Sequence, residues 1–213
     1  MSGGVESMLV LPLLEKRQYL HGTTLFDALV KHVPVNGKIS LSISRRIDTD
    51  RVQIYTRSIS DTPRLGESAK LMWRTAEAAG VIGVMPMPPS PQPRRHPYAE
   101  ELVANRLKFG GNSTSLTEPS PFSFVATLIP MFKSLLTETT KTSGRGQWMF
   151  TRLDLDHCPE DFIPLSLSLE MVTGGTLARS TIESQGERVG ALYFSWVRAP
   201  SLSVWAANDK QPL

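Results

Sequence analysis

Three arginines and a tyrosine in the stretch 40–58, SLSISRRIDTDRVQIYTRS, are the side chains best spaced to do chemistry together. Arg46, Arg51 and Arg57 alternate with apolar residues, as does Tyr55, so a strand reading sends all four to one face. Guanidinium forks pair with phosphate or carboxylate, and a neighbouring tyrosine offers a stacking surface. That chemistry is anion binding. Arg45, Arg64, Lys70 and Arg74 extend the charge, while Asp48 and Asp50 dilute it. A solvated sheet face that resists edge pairing carries the same residues. A second set is His21 and Asp27, at the start of a short helical pattern, where an imidazole and a carboxyl supply a base and an acid. A polar loop followed by a helix-start carboxylate reads the same way. The run DLDHC, Asp154 to Cys158, has metal-ligand residue types. Strand alternation puts Asp154, Asp156 and Cys158 on one face and His157 on the other, which splits the set. Histidines 21, 32 and 96 are scattered, so no metal and no cofactor is expected.

These residues need elements to hold them. TLFDALVKHV, 24–33, has Leu25, Phe26, Leu29, Val30 and Val33 at helical spacing, with Thr23 or Thr24 as cap and Pro34 as stop. Ile39, Leu41, Ile43 and Ile47 then Val52, Ile54 and Thr56 follow a period of two, and DTD at 48–50 predicts an antiparallel hairpin between them. AKLMWRT is a third strand, and AGVIGVMPMP a strand or buried coil. PMPPSPQPRRHP, 86–97, holds six prolines and reads as an exposed connector, with Arg94, Arg95 and His96 as a loop or a docking strip. PYAEELVANRLKF predicts a helix stopped by Gly110-Gly111, and NSTSLTEPSP a polar loop. SPFSFVATLIPMFKSLLTE, 120–138, is an apolar helix that Pro130 must kink or split. Downstream, QWMFTRLDLD, LSLSLEMV, TLARSTIE and VGALYFSWV are strands, the last two joined by a hairpin turn at SQGE. Trp196 shares a face with Leu192 and Phe194; Trp205 near the end is a packing group or a surface anchor, and NDKQPL is a frayed tail.

The totals bound the answer. The chain has 213 residues, 40% of them hydrophobic, a net charge of +3 and one cysteine. One domain over 1–213 is expected, with sub-halves 1–85 and 97–206 joined by the connector 86–96. A lone cysteine excludes an internal disulfide framework. The N-terminal apolar run is broken by Pro12 and preceded by Glu6, so no secretion signal is expected and the location reads as intracellular, cytoplasmic or nuclear. No apolar stretch approaches the roughly 20 residues of a membrane span. The glycine pairs lack phosphate-loop spacing. Clean alternation in several strands gives an α+β, strand-dominated fold: antiparallel sheet with one wet face, packed on two or three helices, as an α+β domain or a β-sandwich with helical insertions.

The order of helix, TRLDLD, LSLSLEMV, TLARSTIES and VGALYFSWV resembles the hot-dog thioesterase and dehydratase superfamily, in which a long sheet wraps a helix. The resemblance covers roughly the last 90 residues. It is one of element order: the family's histidine signatures are absent, and the helix carries no acid before Glu138. It implies a dimer acting on acyl thioesters, with 120–138 as the central helix and His21 or Asp27 as the catalytic group.

Two functions follow. The first, and the one the residues themselves favour, is non-enzymatic: a structural or interaction protein that binds a polyanionic partner, RNA or an acidic membrane surface, through Arg46, Arg51, Arg57 and Tyr55. A viral matrix-, coat- or movement-type component that self-associates into a homo-oligomer is of this kind. The second is the acyl-thioester enzyme.

Overall fold

The computed structural model describes residues 6–34, 36–140 and 146–198. Its elements in chain order are β1 (Glu6–Val10), β2 (Leu13–Leu14), α1 (Gly22–Leu29, continued by a 3-10 turn Val30–His32), β3 (Lys38–Ile43), β4 (Arg51–Arg57), β5 (Ala69–Arg74), β6 (Ala79–Pro86), β7 (Arg95–His96), α2 (Glu101–Ala104), β8 (Lys108–Gly110), β9 (Ser113–Leu116), α3 (Phe124–Thr139), β10 (Gly146–Leu155), β11 (Leu165–Thr173), β12 (Leu177–Ser184) and β13 (Glu187–Arg198). Trp205 and the 208–213 tail lie outside the described residues. No described helix is long and apolar enough to cross a membrane.

Where residues alternate with a period of two, one face of the strand is buried. In β11, Leu165 and Leu167 are buried between half-buried Ser166 and Ser168. Eleven strands form one antiparallel sheet in the order β1-β4-β6-β5-β3-β10-β13-β12-β11-β9-β8, and β2 pairs in parallel with β7. The sheet buries its apolar face on α1 and α3, and Leu25, Phe26, Leu29, Leu128, Ile129 and Phe132 fill one continuous core with it. Antiparallel sheet, few helices and a sheet packed over a central helix make this the α+β, hot-dog-like arrangement.

The chain contains this arrangement twice. A helix followed by four strands occurs as α1 with β3 to β6 and again as α3 with β10 to β13. The two first strands meet side by side, β3 on β10, with Leu41 opposite Leu153 and Ser40 opposite Asp154. The halves differ in one swap: β10 borders the last strand of its set, β13, whereas β3 borders the third, β5.

Several sequence expectations need correction. β3 and β4 do not form a hairpin: β3 pairs with β5 and β10, and β4 with β1 and β6. Alternation specifies which face is buried but not which strand is the partner, and residues 44–50 carry the chain across. The helix expected over 97–109 shrinks to α2, because Lys108–Gly110 is strand β8 and Gly111-Asn112 is the hairpin turn to β9, with Gly111 at φ 62°. Ser113–Leu116, expected as loop, is β9. The first residue outside α1 is His21, not a threonine, and it makes no side-chain cap bond. The hairpin turn at SQGE is present, with Gln185 and Gly186 both at positive φ, which suits a two-residue turn.

Pro130 lies inside α3, which runs unbroken from Phe124 to Thr139. Proline has no N–H for the carbonyl four residues back. That carbonyl belongs to Ala126, and the buried Tyr98 hydroxyl donates to it at 2.6 Å. The helix therefore continues past the proline without a stranded acceptor.

Candidate active site at the start of the first helix

The arginine stretch comes first, because it does not form a face. Arg46 sits in the β3–β4 connection, paired with Asp48 and stacked 4.8 Å over the Tyr19 ring. Arg51 directs Nη2 at the Met8 sulfur, 3.1 Å away. Tyr55 does point to the outer side of β4, but loop 58–68 folds over it, leaving it 2% exposed. Its ring lies across Gly83, where a Cβ would stand 2.4 Å from the tyrosine Cζ. Arg64 stacks 4.0 Å from the ring centroid. The Tyr55 hydroxyl donates to Glu67 at 2.5 Å, and Arg57 Nη2 donates to the other Glu67 oxygen at 3.3 Å. The Arg57 and Glu67 side chains are only 8% and 9% exposed. Two of the three guanidinium groups are thus neutralised by local carboxylates, and the tyrosine is buried. The RNA- or membrane-binding structural reading is overturned.

The DLDHC run does not continue as a strand: β10 ends at Leu155, and Cys158 packs against the core, away from the two aspartates. Asp154 accepts from Ser40 and Arg152, and Asp156 pairs with Lys38 at 2.9 Å. Among the described residues no group of three or more histidine, cysteine or acidic side chains could hold a metal ion.

His21 has the most distinctive surroundings. It directly precedes α1 and is 5% exposed. Its Nδ1 lies 2.8 Å from Thr23 Oγ1, and its ring is 5.6 Å from that of Tyr98. The first helical bond runs from the Leu25 N–H to the His21 carbonyl. The amides of Gly22, Thr23 and Thr24 therefore have no intrahelical acceptor and form the positive end of α1. Gly22 is required there, since a Cβ would stand 2.3 Å from the Phe150 ring of β10.

Two cations join the histidine. Arg17 and Lys133 share one carboxylate, Glu100, at 2.7 and 2.8 Å. Arg17 also lies 5.3 Å from the Tyr98 centroid, and its Nη1 is buried with no hydrogen-bond partner. Arg17, His21, Arg46 and Lys133 line one small cavity of about 100 Å³, closed by Ile129, Trp148 and Phe150. It adjoins a cleft of about 480 Å³ lined by Leu136, Thr137 and Trp196, and the two share Lys133, Gln147 and Trp148. Burial, then Arg17, then Lys133, pulls the His21 pKa from 6.5 down to about 3. The imidazole is therefore neutral at physiological pH, with one nitrogen free to accept a proton.

Asp27 does not join this cavity. It faces the other side of α1, where it accepts from the Ser123 hydroxyl at 2.8 Å. Burial raises its pKa, against the Ser123 bond and Lys31. The base and acid expected as a pair are thus placed in separate pockets. Arg17, Tyr98, Glu100 and Lys133 escaped the sequence reading. Lys133 alone left a signal, as the single basic residue in the apolar run 120–138.

No protein-family model matches the chain, and no curated protein matches it. Among solved structures it is similar to the bifunctional dehydratase-cyclase domain in ambruticin biosynthesis, at 17% identity over 89% of this chain and 86% of that one, with a TM-score of 0.48. An acyl-ACP thioesterase from Bacteroides thetaiotaomicron VPI-5482 gives 10% identity, 91% and 97% coverage and a TM-score of 0.46. A trans-AT PKS dehydratase domain from Brevibacillus brevis gives 12%, 91% and 93%, and 0.44.

Proposed function

We propose that this chain hydrolyses an acyl thioester in the cavity at the start of α1 and the adjoining cleft between α3 and β10, with His21 as general base. The observation that carries the reading is a buried, neutral imidazole at the positive end of a helix, beside a cavity lined by two fixed cations. With Nδ1–H donating to Thr23 Oγ1, Nε2 keeps its lone pair. It takes a proton from a water whose oxygen attacks the thioester carbonyl carbon. The oxyanion that forms is held by the free amides of Gly22 and Thr23 and by the Lys133 ammonium. The C–S bond then breaks, and the imidazolium returns the proton to the departing sulfur.

A base whose pKa is near 3 is too weak at rest for a task near neutrality. Burial is the largest cause of that depression, and the charges of Arg17 and Lys133 add to it. A phosphate-bearing thioester arm lying against those cations offsets them, and the unpartnered Arg17 Nη1 is a ready donor to it. Binding of the substrate thus raises the base toward its working range.

Hydrolysis is favoured over dehydration. Elimination of a hydroxyl calls for an acid on the side of the substrate away from the base, and α3 presents Ile129 and Lys133 there, with no carboxyl among the described lining residues. The test is thiol release from a panel of acyl-CoA thioesters of increasing chain length, run beside a 3-hydroxyacyl thioester assayed for enoyl product. Thiol release that vanishes in His21→Asn supports the reading; enoyl product without thiol release, or no turnover of any thioester, defeats it.

A further inference from the structure

The α1–α3 crossing has a second side, and it is built differently. His21 precedes α1 as Ser123 precedes α3, and six residues beyond each cap stand Asp27 and Ile129. Ile129 lines the cavity at the start of α1. Asp27 reaches the start of α3, where Ser123 donates to it at 2.8 Å. The two crossings are therefore related places that hold different groups, an imidazole in one and a carboxyl in the other.

At the second crossing lies a pocket of about 430 Å³. Its walls are mainly apolar, from Leu14, Pro97, Tyr98 and Phe122, with few convergent polar groups, as small-molecule sites are. Its charged lining is one carboxyl, Asp27, and one ammonium, Lys31, with His96 at the exposed rim. Asp27 and Lys31 are one helical turn apart on α1, on neighbouring positions of its surface. The Lys31 charge is felt at Asp27, but no ion pair within 4.0 Å joins the two among the described residues. Only one Asp27 oxygen is engaged by a neighbour.

We propose that this pocket binds a small zwitterion, a free α-amino acid with an apolar side chain. Its ammonium bonds the unengaged Asp27 oxygen, its carboxylate faces Lys31, and its side chain lies on Pro97, Tyr98 and Phe122. The charges of pocket and ligand match one to one, and neither an amine nor an acid alone satisfies both. Burial already disfavours the Asp27 carboxylate, and an arriving ammonium relieves that penalty. The proposal does not rest on the thioester reading, because its two charged groups, Asp27 and Lys31, do not line the His21 cavity, although Tyr98 stands between the two sites.

Calorimetric titration of the full chain with L-leucine tests it, beside 3-methylbutylamine and 4-methylpentanoate as single-charge analogues. L-Leucine is expected to bind, and each analogue to bind at least about tenfold more weakly, a loss of about 1.4 kcal/mol. Asp27→Asn and Lys31→Gln should each weaken L-leucine by a similar factor. Lys31 is exposed, so its variant keeps the test decisive if the Asp27 variant fails to fold. Absence of L-leucine binding at millimolar concentration, or binding that survives Lys31→Gln, overturns the proposal. Stronger binding of the amine or the acid than of L-leucine overturns it too.

Discussion

Burial of a neutral histidine makes folding pH-dependent in a calculable way. In the unfolded chain His21 has the ordinary value of 6.5, and in the native state about 3. Below pH 6.5 the unfolded state binds a proton that the native state refuses, so stability falls with falling pH until the native value is reached. The slope is about 1.4 kcal/mol per pH unit. Between pH 8 and pH 5 the interval below 6.5 is 1.5 units, which gives a loss of about 2 kcal/mol. Other groups titrate in the same range, so the measurement is a difference. Urea unfolding of the wild type and of His21→Asn is followed at pH 8, 6.5 and 5. Asparagine retains a polar contact to Thr23 and is a good helix cap, but it does not titrate. The variant should gain about 2 kcal/mol on the wild type between pH 8 and pH 5. A wild-type-minus-variant difference that stays constant over that range would refute the claim that His21 is buried and neutral.

Three further outcomes follow from the packing. Asp27 has its pKa raised by burial, so above the unfolded value of 3.8 it costs stability to keep it ionised; Asp27→Asn, which still accepts from Ser123, should raise the thermal midpoint at pH 7 and lose that advantage at pH 3. Arg57→Met leaves Glu67 buried without its cation, and urea unfolding should show a loss of about 3–5 kcal/mol, where an exposed surface arginine would cost almost nothing. Tyr98→Phe strands the Ala126 carbonyl and should cost about 1–3 kcal/mol; adding Pro130→Ala restores a backbone donor to that carbonyl, so a double-mutant cycle should find the pair less destabilised than the sum of the singles.

What the sequence reveals and what it hides divide along physical lines. The strand at 165–173 is legible because serine and leucine alternate cleanly at its start, and the Gln185-Gly186 turn because it needs positive φ. The same alternation misleads at 39–57. It marks faces truthfully, yet Tyr55 on the outer side is buried by a loop that only tertiary structure brings over it, and Arg46 has left the strand before its side chain emerges. An outward position is not a wet position. The Gly110-Gly111 pair is ambiguous in kind, since helix ends and hairpin turns both use glycine at positive φ. The His21 cavity is illegible for another reason: Arg17, the Tyr98–Glu100 pair and Lys133 come from three separate segments, and no local spacing joins those segments to His21. The lone lysine in an apolar helix is the kind of exception that deserves pursuit, because a charge in such a run needs a partner.

The account rests on His21 acting as a base toward a thioester. The direct measurement is steady-state thiol release from the best acyl-CoA of the panel by the wild type and by His21→Asn, with folding of both confirmed at the assay pH. The expected result is a fall in kcat of at least about a hundredfold, the scale of a lost general base, with KM little changed, since Arg17 and Lys133 still hold the substrate. A variant that hydrolyses the thioester as fast as the wild type would contradict it.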